Sequence, residues 1–143
     1  MLFVYGTLLS GLGFPMHAKL RARADFVGAG SIPGRLLAIS WYPGLVEGAG
    51  IVRGELYRPR DEAATLAFLD LYEGCHVTDP EPHEYRRVRR PVNLDGAADV
   101  MNAWVYEYIG ETAGLADVGG NFREWVQGHR VGTDGTSAGG TNN

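Results

Sequence analysis

Only one segment of this chain, Asp61–Tyr72, sustains apolar residues at helical spacing; elsewhere the apolar runs are short and stop at glycine or proline. That pattern excludes a helical bundle. It favours many short strands with sharp connections. Leu2–Tyr5 is a compact apolar run closed by Gly6. Phe26–Gly30 and Gly34–Ile39 read as two strands joined by a Ser31-Ile32-Pro33 turn. Ile51–Tyr57 alternates, with Val52, Gly54 and Leu56 on one face and Arg53 and Glu55 on the other, which predicts a half-buried strand. Tyr85–Leu94 is a further strand in which Pro91 demands an edge or a bulge, and Met101–Ile109 is an aromatic-rich one.

In the helical segment Asp61 is placed to cap, Leu66 and Leu69 share a side with Phe68 and Tyr72, and Gly74 is a natural stop. Met16–Ala24 and Asn121–Gln127 are shorter helix candidates, the second capped by Asn121. Leu9–Pro15, Trp41–Val46 and Cys75–His83 are expected as loops. The sum is an α+β domain, a small, strongly curved mixed sheet or barrel flanked by a few helices. One domain over residues 1–130 suits a chain of 143 residues, and 131–143, almost without apolar content, is expected to be a disordered tail.

Charge and cysteine use narrow the classes further. The net charge is −4 and Lys19 is the only lysine, which argues against a general nucleic-acid binder. Cys75 is the only cysteine, so no internal disulfide can form and a reducing compartment is expected. The opening MLFVYGTLLSGLGF lacks a charged leader and is too short to span a bilayer; cytoplasm is the expected location, with no membrane partner.

Four features could carry chemistry. The strand end at Tyr5-Gly6-Thr7-Leu8 can leave successive backbone N–H groups facing one space, a nest for a carboxylate or an oxyanion, or it is a plain strand end. Glu73, after an apolar helix and beside Leu71 and Tyr72, is either a solvated helix-end glutamate or a partly desolvated carboxylate with a raised pKa, suited to proton transfer. The four arginines of Arg86-Arg87-Val88-Arg89-Arg90 divide between two strand faces, which favours a structural role over a phosphate stripe. His17, His76, His83 and His129 show no zinc-ligand spacing. Ser10 and Ser40 lack a nucleophile-elbow context, and no phosphate-binding glycine loop is present.

Taken in order, Phe3-Val4-Tyr5-Gly6-Thr7-Leu8, Tyr42-Pro43-Gly44, Val52-Arg53-Gly54-Glu55-Leu56-Tyr57, Leu69-Asp70-Leu71-Tyr72-Glu73-Gly74, Tyr85-Arg86-Arg87 and Ala103-Trp104-Val105-Tyr106 resemble the γ-glutamyl cyclotransferase-like family. The resemblance covers nearly the whole chain up to the tail. It departs at Gly120-Asn121-Phe122, where the family often carries Gly-Asp-Trp. It implies an enzyme that closes a small-molecule γ-glutamyl amine or peptide into 5-oxoproline and releases the amine. Tyr5, Gly6, Thr7 and Leu8 would hold the γ-glutamyl head group, and Glu73 would serve as general base and then acid. Tyr85 and Arg87 would be supporting residues, with no metal or organic cofactor. Some relatives place a glutamate directly before the tyrosine, which makes Glu84 a rival to Glu73. Arginines next to Glu84 are expected to stabilise its ionised form and weaken it as a base. A metabolite-binding module without catalysis is the alternative on the same fold. The leaving group and the oligomeric state stay open.

Overall fold

The computed structural model describes residues 1–132, and among them lie six strands and three helices. The strands are β1 (Leu2–Val4), β2 (Ala24–Ala38), β3 (Pro43–Pro59), β4 (Tyr85–Leu94), β5 (Val100–Tyr108) and β6 (Asp117–Gly119). The helices are α1 (Pro15–Arg21), α2 (Glu62–Glu73) and α3 (Phe122–Gly132). The tail expected over 131–143 lies outside the described residues from 133 onward, and α3 runs two residues past the boundary set at 130.

Five strands close on themselves. β1 pairs with β3, β3 with β2, β2 with β4, β4 with β5, and β5 with β1. Most pairings are antiparallel, but β1 and β3 each meet β5 in parallel, so the barrel is mixed. β6 adds to the outer side of β2 through Leu36 and Leu37. Closure leaves few open edges.

The two strands expected on either side of Pro33 are one continuous strand. β2 runs through Ser31, Ile32 and Pro33, which pair with Arg53, Val52 and Ile51. The punctuation seen in the sequence is a bulge, not a turn: the register shifts between Phe26 and Gly28 and again between Pro33 and Arg35. Gly34 sits in the second shift at φ 150°, where a Cβ would come within 2.8 Å of Leu45 Cδ1. Likewise Pro43–Val46, expected as loop, begins β3 and pairs with Ala38–Arg35. Proline is tolerated there as the first residue of a strand. Pro91 pairs with Asn102 of β5, while β2 reaches β4 only at Asn93 and Leu94, so β4 is one-sided at the proline.

One cluster of buried side chains holds these elements together, with Leu2, Phe3, Leu20, Leu36, Val52, Leu56, Leu69, Val105 and Phe122 among its fully buried members. Each such side chain contributes about 1.5–3 kcal/mol relative to exposure. α2 buries Thr65, Leu66 and Leu69. Its start is capped by Asp61, whose carboxylate accepts from Ala64 N at 3.1 Å. Its end is set by Gly74 in the left-handed region at φ 75°, with the N–H groups of the cap returning to the carbonyls of Asp70 and Leu71. Tyr72 does not join the buried side of the helix and is 38% exposed. No helix among the described residues is long and apolar enough to cross a membrane.

Candidate active site

The end of β1 turns sharply where Leu9 N donates to Gly6 O at 3.0 Å. Thr7 and Leu8 are the central residues of that turn, and their N–H groups find no acceptor among the described residues. Gly6 is dictated by space: a Cβ there would come within 2.8 Å of Pro43 Cγ. The turn is held from behind by Tyr5. Its hydroxyl donates to Tyr106 O at 2.6 Å and accepts from Leu45 N at 3.2 Å, tying β1 to β5 and β3. Burial pushes the Tyr5 pKa far above its ordinary value, which keeps that hydroxyl neutral.

This turn forms one wall of a cavity of about 260 Å³. The last residues of α2, Tyr72 and Glu73, form another; Trp41, Tyr42 and Pro43 enter from the start of β3, and Glu84 and Tyr85 from the start of β4. Tyr5, Gly6, Thr7, Leu8 and Glu73, separated by more than sixty residues of chain, therefore line one space. Tyr72 closes the corner between them, its hydroxyl 2.8 Å from Thr7 Oγ1. Tyr85 is buried, and its hydroxyl donates to Pro43 O at 2.8 Å.

Glu73 is half-buried, and none of the described side chains or backbone groups hydrogen bonds its carboxyl. Loss of hydration is the main reason its pKa rises to about 8, and the nearby Asp70 carboxylate adds to the rise. Asp70 lies one turn earlier on α2. It accepts a forked pair from Arg87, Nε to Oδ1 at 2.9 Å and the terminal nitrogen to Oδ2 at 3.2 Å, and a hydroxyl from Tyr106 at 2.6 Å. The end of α2 is thereby fastened to β4 and β5, and the position of Glu73 with it.

Glu84 shares the cavity and is exposed; Tyr42 donates to its Oε1 at 3.0 Å. The arginines expected to stabilise it are engaged elsewhere. Arg87 holds Asp70, Arg86 and Arg90 both face Glu107, and Arg89 lies over the Trp104 ring at 4.9 Å. Each residue of the basic strand thus has a partner within the fold. No group of three or more histidine, cysteine, aspartate or glutamate side chains converges to hold a metal among the described residues. His76 and His83 instead bond Thr78 and the carbonyl of Asp79.

Two residues of consequence are hidden in the sequence. Asp70 is the first: helical spacing puts it and Glu73 beside the Leu66–Leu69 side of α2, but nothing in that spacing announces its partners Arg87 and Tyr106. Glu55 is the second. It is 6% exposed and accepts from Ser10 N at 2.9 Å, Ser10 Oγ at 2.6 Å, Tyr57 Oη at 2.9 Å and Arg123 at 3.0 Å. Burial alone would raise its pKa, but these bonds outweigh it and lower the value. The alternation expected over Ile51–Tyr57 holds at exposed Ile51, buried Val52 and half-buried Arg53, but from Gly54 to Tyr57 both faces of β3 are covered and Glu55 is enclosed. Glu55 anchors Ser10, just beyond the Gly6–Leu9 turn.

The chain as a whole is similar to known proteins. The model of the family described as γ-glutamyl cyclotransferase, AIG2-like, matches residues 2–127. An uncharacterised protein of Pyrococcus horikoshii is 27% identical over 91% of this chain and 95% of its own, with a TM-score of 0.65. An AIG2-like protein of Mus musculus is 26% identical over 81% of this chain and 83% of its own, also at 0.65. The protein ytfP of Escherichia coli is 31% identical over 85% and 92%, at 0.56. No curated protein sequence matches the chain. The five-stranded mixed barrel and the match across nearly its whole length place the chain in the γ-glutamyl cyclotransferase, AIG2-like family.

Proposed function

We propose that this protein is a γ-glutamyl cyclotransferase-type enzyme, which converts a γ-glutamyl amine or peptide to 5-oxoproline and the free amine. The observation that carries the reading is Glu73: a carboxyl whose pKa is raised to about 8, without a hydrogen-bond partner among the described residues, in the cavity that also holds the Gly6–Leu9 turn. A group poised near the working pH takes and returns protons efficiently.

The substrate's α-amine is an ammonium at neutral pH and cannot attack. Glu73 removes one proton from it. The freed amine attacks the γ-carbonyl, forming the new C–N bond of a five-membered lactam. The oxygen of that carbonyl gains negative charge, and the N–H groups of Thr7 and Leu8 are suited to receive it or the substrate's α-carboxylate. The tetrahedral centre then expels the original amide nitrogen as Glu73 returns the proton to it, and the second proton of the new ring nitrogen passes by way of Glu73 to the released amine, which departs as an ammonium. Ring closure is intramolecular, so the enzyme's task is to fold the substrate and exclude water. Tyr5, Tyr85 and Tyr106, with hydroxyls committed to the fold, supply rigid walls for that.

The test is to incubate the protein with γ-glutamyl amines, γ-glutamyl dipeptides and glutathione and to measure 5-oxoproline. Release from at least one of them is expected. Saturable binding with no release from any would favour the metabolite-binding alternative.

A further inference from the structure

His17 stands in α1, ahead of the fully buried Leu20, and the proton-transfer scheme makes no use of it. Its Nδ1 lies 3.0 Å from Leu8 O. A carbonyl oxygen only accepts, so the proton of this bond sits on Nδ1. The ring is half-buried and meets the fully buried Tyr57 edge-on, with centroids 6.2 Å apart. It does not line the cavity, so any influence on the substrate passes through Leu8. Leu8 is the third residue of the Gly6–Leu9 turn. The peptide that joins it to Leu9 is held at both ends: Leu9 N donates to Gly6 O at 3.0 Å, and Leu8 O accepts from His17. Ser10, next in the chain, is fixed at its amide, hydroxyl and carbonyl by Glu55 and Arg123. Fixing the peptide after Leu8 limits the backbone dihedrals of Leu8, and those set the direction of its N–H. Donors held in place before the reaction need no reorganisation as charge develops.

We infer that His17 is a positioning residue: through its Nδ1–H bond to Leu8 O it aims the N–H groups of the Gly6–Leu9 turn at the substrate. The catalytic consequence rests on the cyclotransferase reading; the hold on the turn does not. His17 exchanges no proton with the substrate. Its part is to donate one hydrogen bond from outside the cavity, with the Tyr57 ring beside it limiting the tilt of the imidazole. Tyr57 also donates to Glu55, which holds Ser10, so α1 and β3 brace the same stretch of chain from adjoining positions.

Three substitutions separate the donor from the ring. His17→Asn sets an amide nitrogen near the place of Nδ1, His17→Gln sets one near the place of Nε2, and His17→Leu keeps apolar bulk without a donor. On a γ-glutamyl compound that the wild type turns over, His17→Leu and His17→Gln are expected to lose about 10–100-fold in kcat/KM, the scale for a small misplacement caused from outside the chemistry. His17→Asn keeps the donor and should stay within about threefold of the wild type. Hydrogen exchange at the Leu9 amide should quicken in His17→Leu and His17→Gln and recover in His17→Asn, while the Val105 amide within β5 stays unchanged. Should His17→Leu fail to fold, the contrast between His17→Asn and His17→Gln carries the same test. Unchanged kcat/KM in folded His17→Gln, or equal losses in all the variants, would overturn the role of the Nδ1 donor while leaving the cyclotransferase intact. If the wild type releases 5-oxoproline from no γ-glutamyl compound, the reaction assignment falls instead. Leu9 exchange then decides the hold on the turn, and equal rates in the wild type and His17→Gln overturn it.

Discussion

Arg87 and Asp70 meet in a two-bond fork, with both side chains largely withdrawn from solvent at 25% and 15% exposure. Tyr106 completes the set by donating to the same carboxylate. This knot joins α2 to β4 and β5 one turn before Glu73. Asp70→Ala leaves a guanidinium and a hydroxyl without their acceptor. A loss of about 2–4 kcal/mol is expected, the scale for breaking an enclosed ion pair. Urea denaturation of the variant checks it. Asp70→Asn keeps part of the hydrogen bonding and should lose less.

Glu73→Gln preserves size and removes proton acceptance. Turnover is expected to fall by about 10²–10⁴-fold, the range for loss of a general acid–base group, with substrate affinity nearly unchanged. Glu84→Gln should be mild by comparison. A folded Glu73→Gln protein with near wild-type 5-oxoproline release would refute the assignment, as would a folded Glu84→Gln protein with none.

The raised pKa of Glu73 has consequences for pH. As a base it must be ionised, so kcat/KM of the wild type should climb with pH and bend near 8, and Glu73→Gln should lack that limb. Stability moves the other way. Unfolded, the group ionises in the ordinary carboxylate range; folded, only near 8. Between those values the folded protein holds more protons than the unfolded chain, so this group's contribution to stability is intact at low pH and is lost as pH rises toward 8. Glu73→Gln removes the penalty. Denaturation at pH 5 and pH 9 should show the variant gaining on the wild type at the higher pH, the expected trade between function and stability.

Glu55 behaves oppositely. Its four partners hold the carboxylate below its usual range, so its contribution is present at neutral pH and is lost as pH falls through the folded pKa. Glu55→Ala strands Tyr57, Arg123 and the Ser10 amide together. A cost of about 3 kcal/mol is expected for losing a buried, charge-assisted cluster. Hydrogen exchange should report faster exchange at Ser10, because the amide loses its acceptor.

The amino-acid sequence by itself determined most of the elements. Local signals suffice for these: Asp61 and Gly74 bound α2, Asn121 starts α3 by accepting from Glu124 N at 3.1 Å, and apolar alternation marks β4 and β5. It also determined the family, through the serial order of short motifs. Where it misled, the residues' roles depend on their neighbours across space. Pro33 and Pro43 look like breaks, but a partner strand that needs no N–H from them carries the ladder through. Glu55 looks like the polar side of an alternating strand until α3 and the Ser10 loop cover that face. The cavity is the clearest case. Its walls come from five separate stretches of chain, and Glu73 loses its water because closure of the barrel brings Tyr5, Tyr85 and Asp70 around it. Desolvation is a property of the surrounding volume, not of the residue or its immediate chain neighbours, so a raised carboxylate pKa can be suspected from sequence and is decided only by tertiary packing.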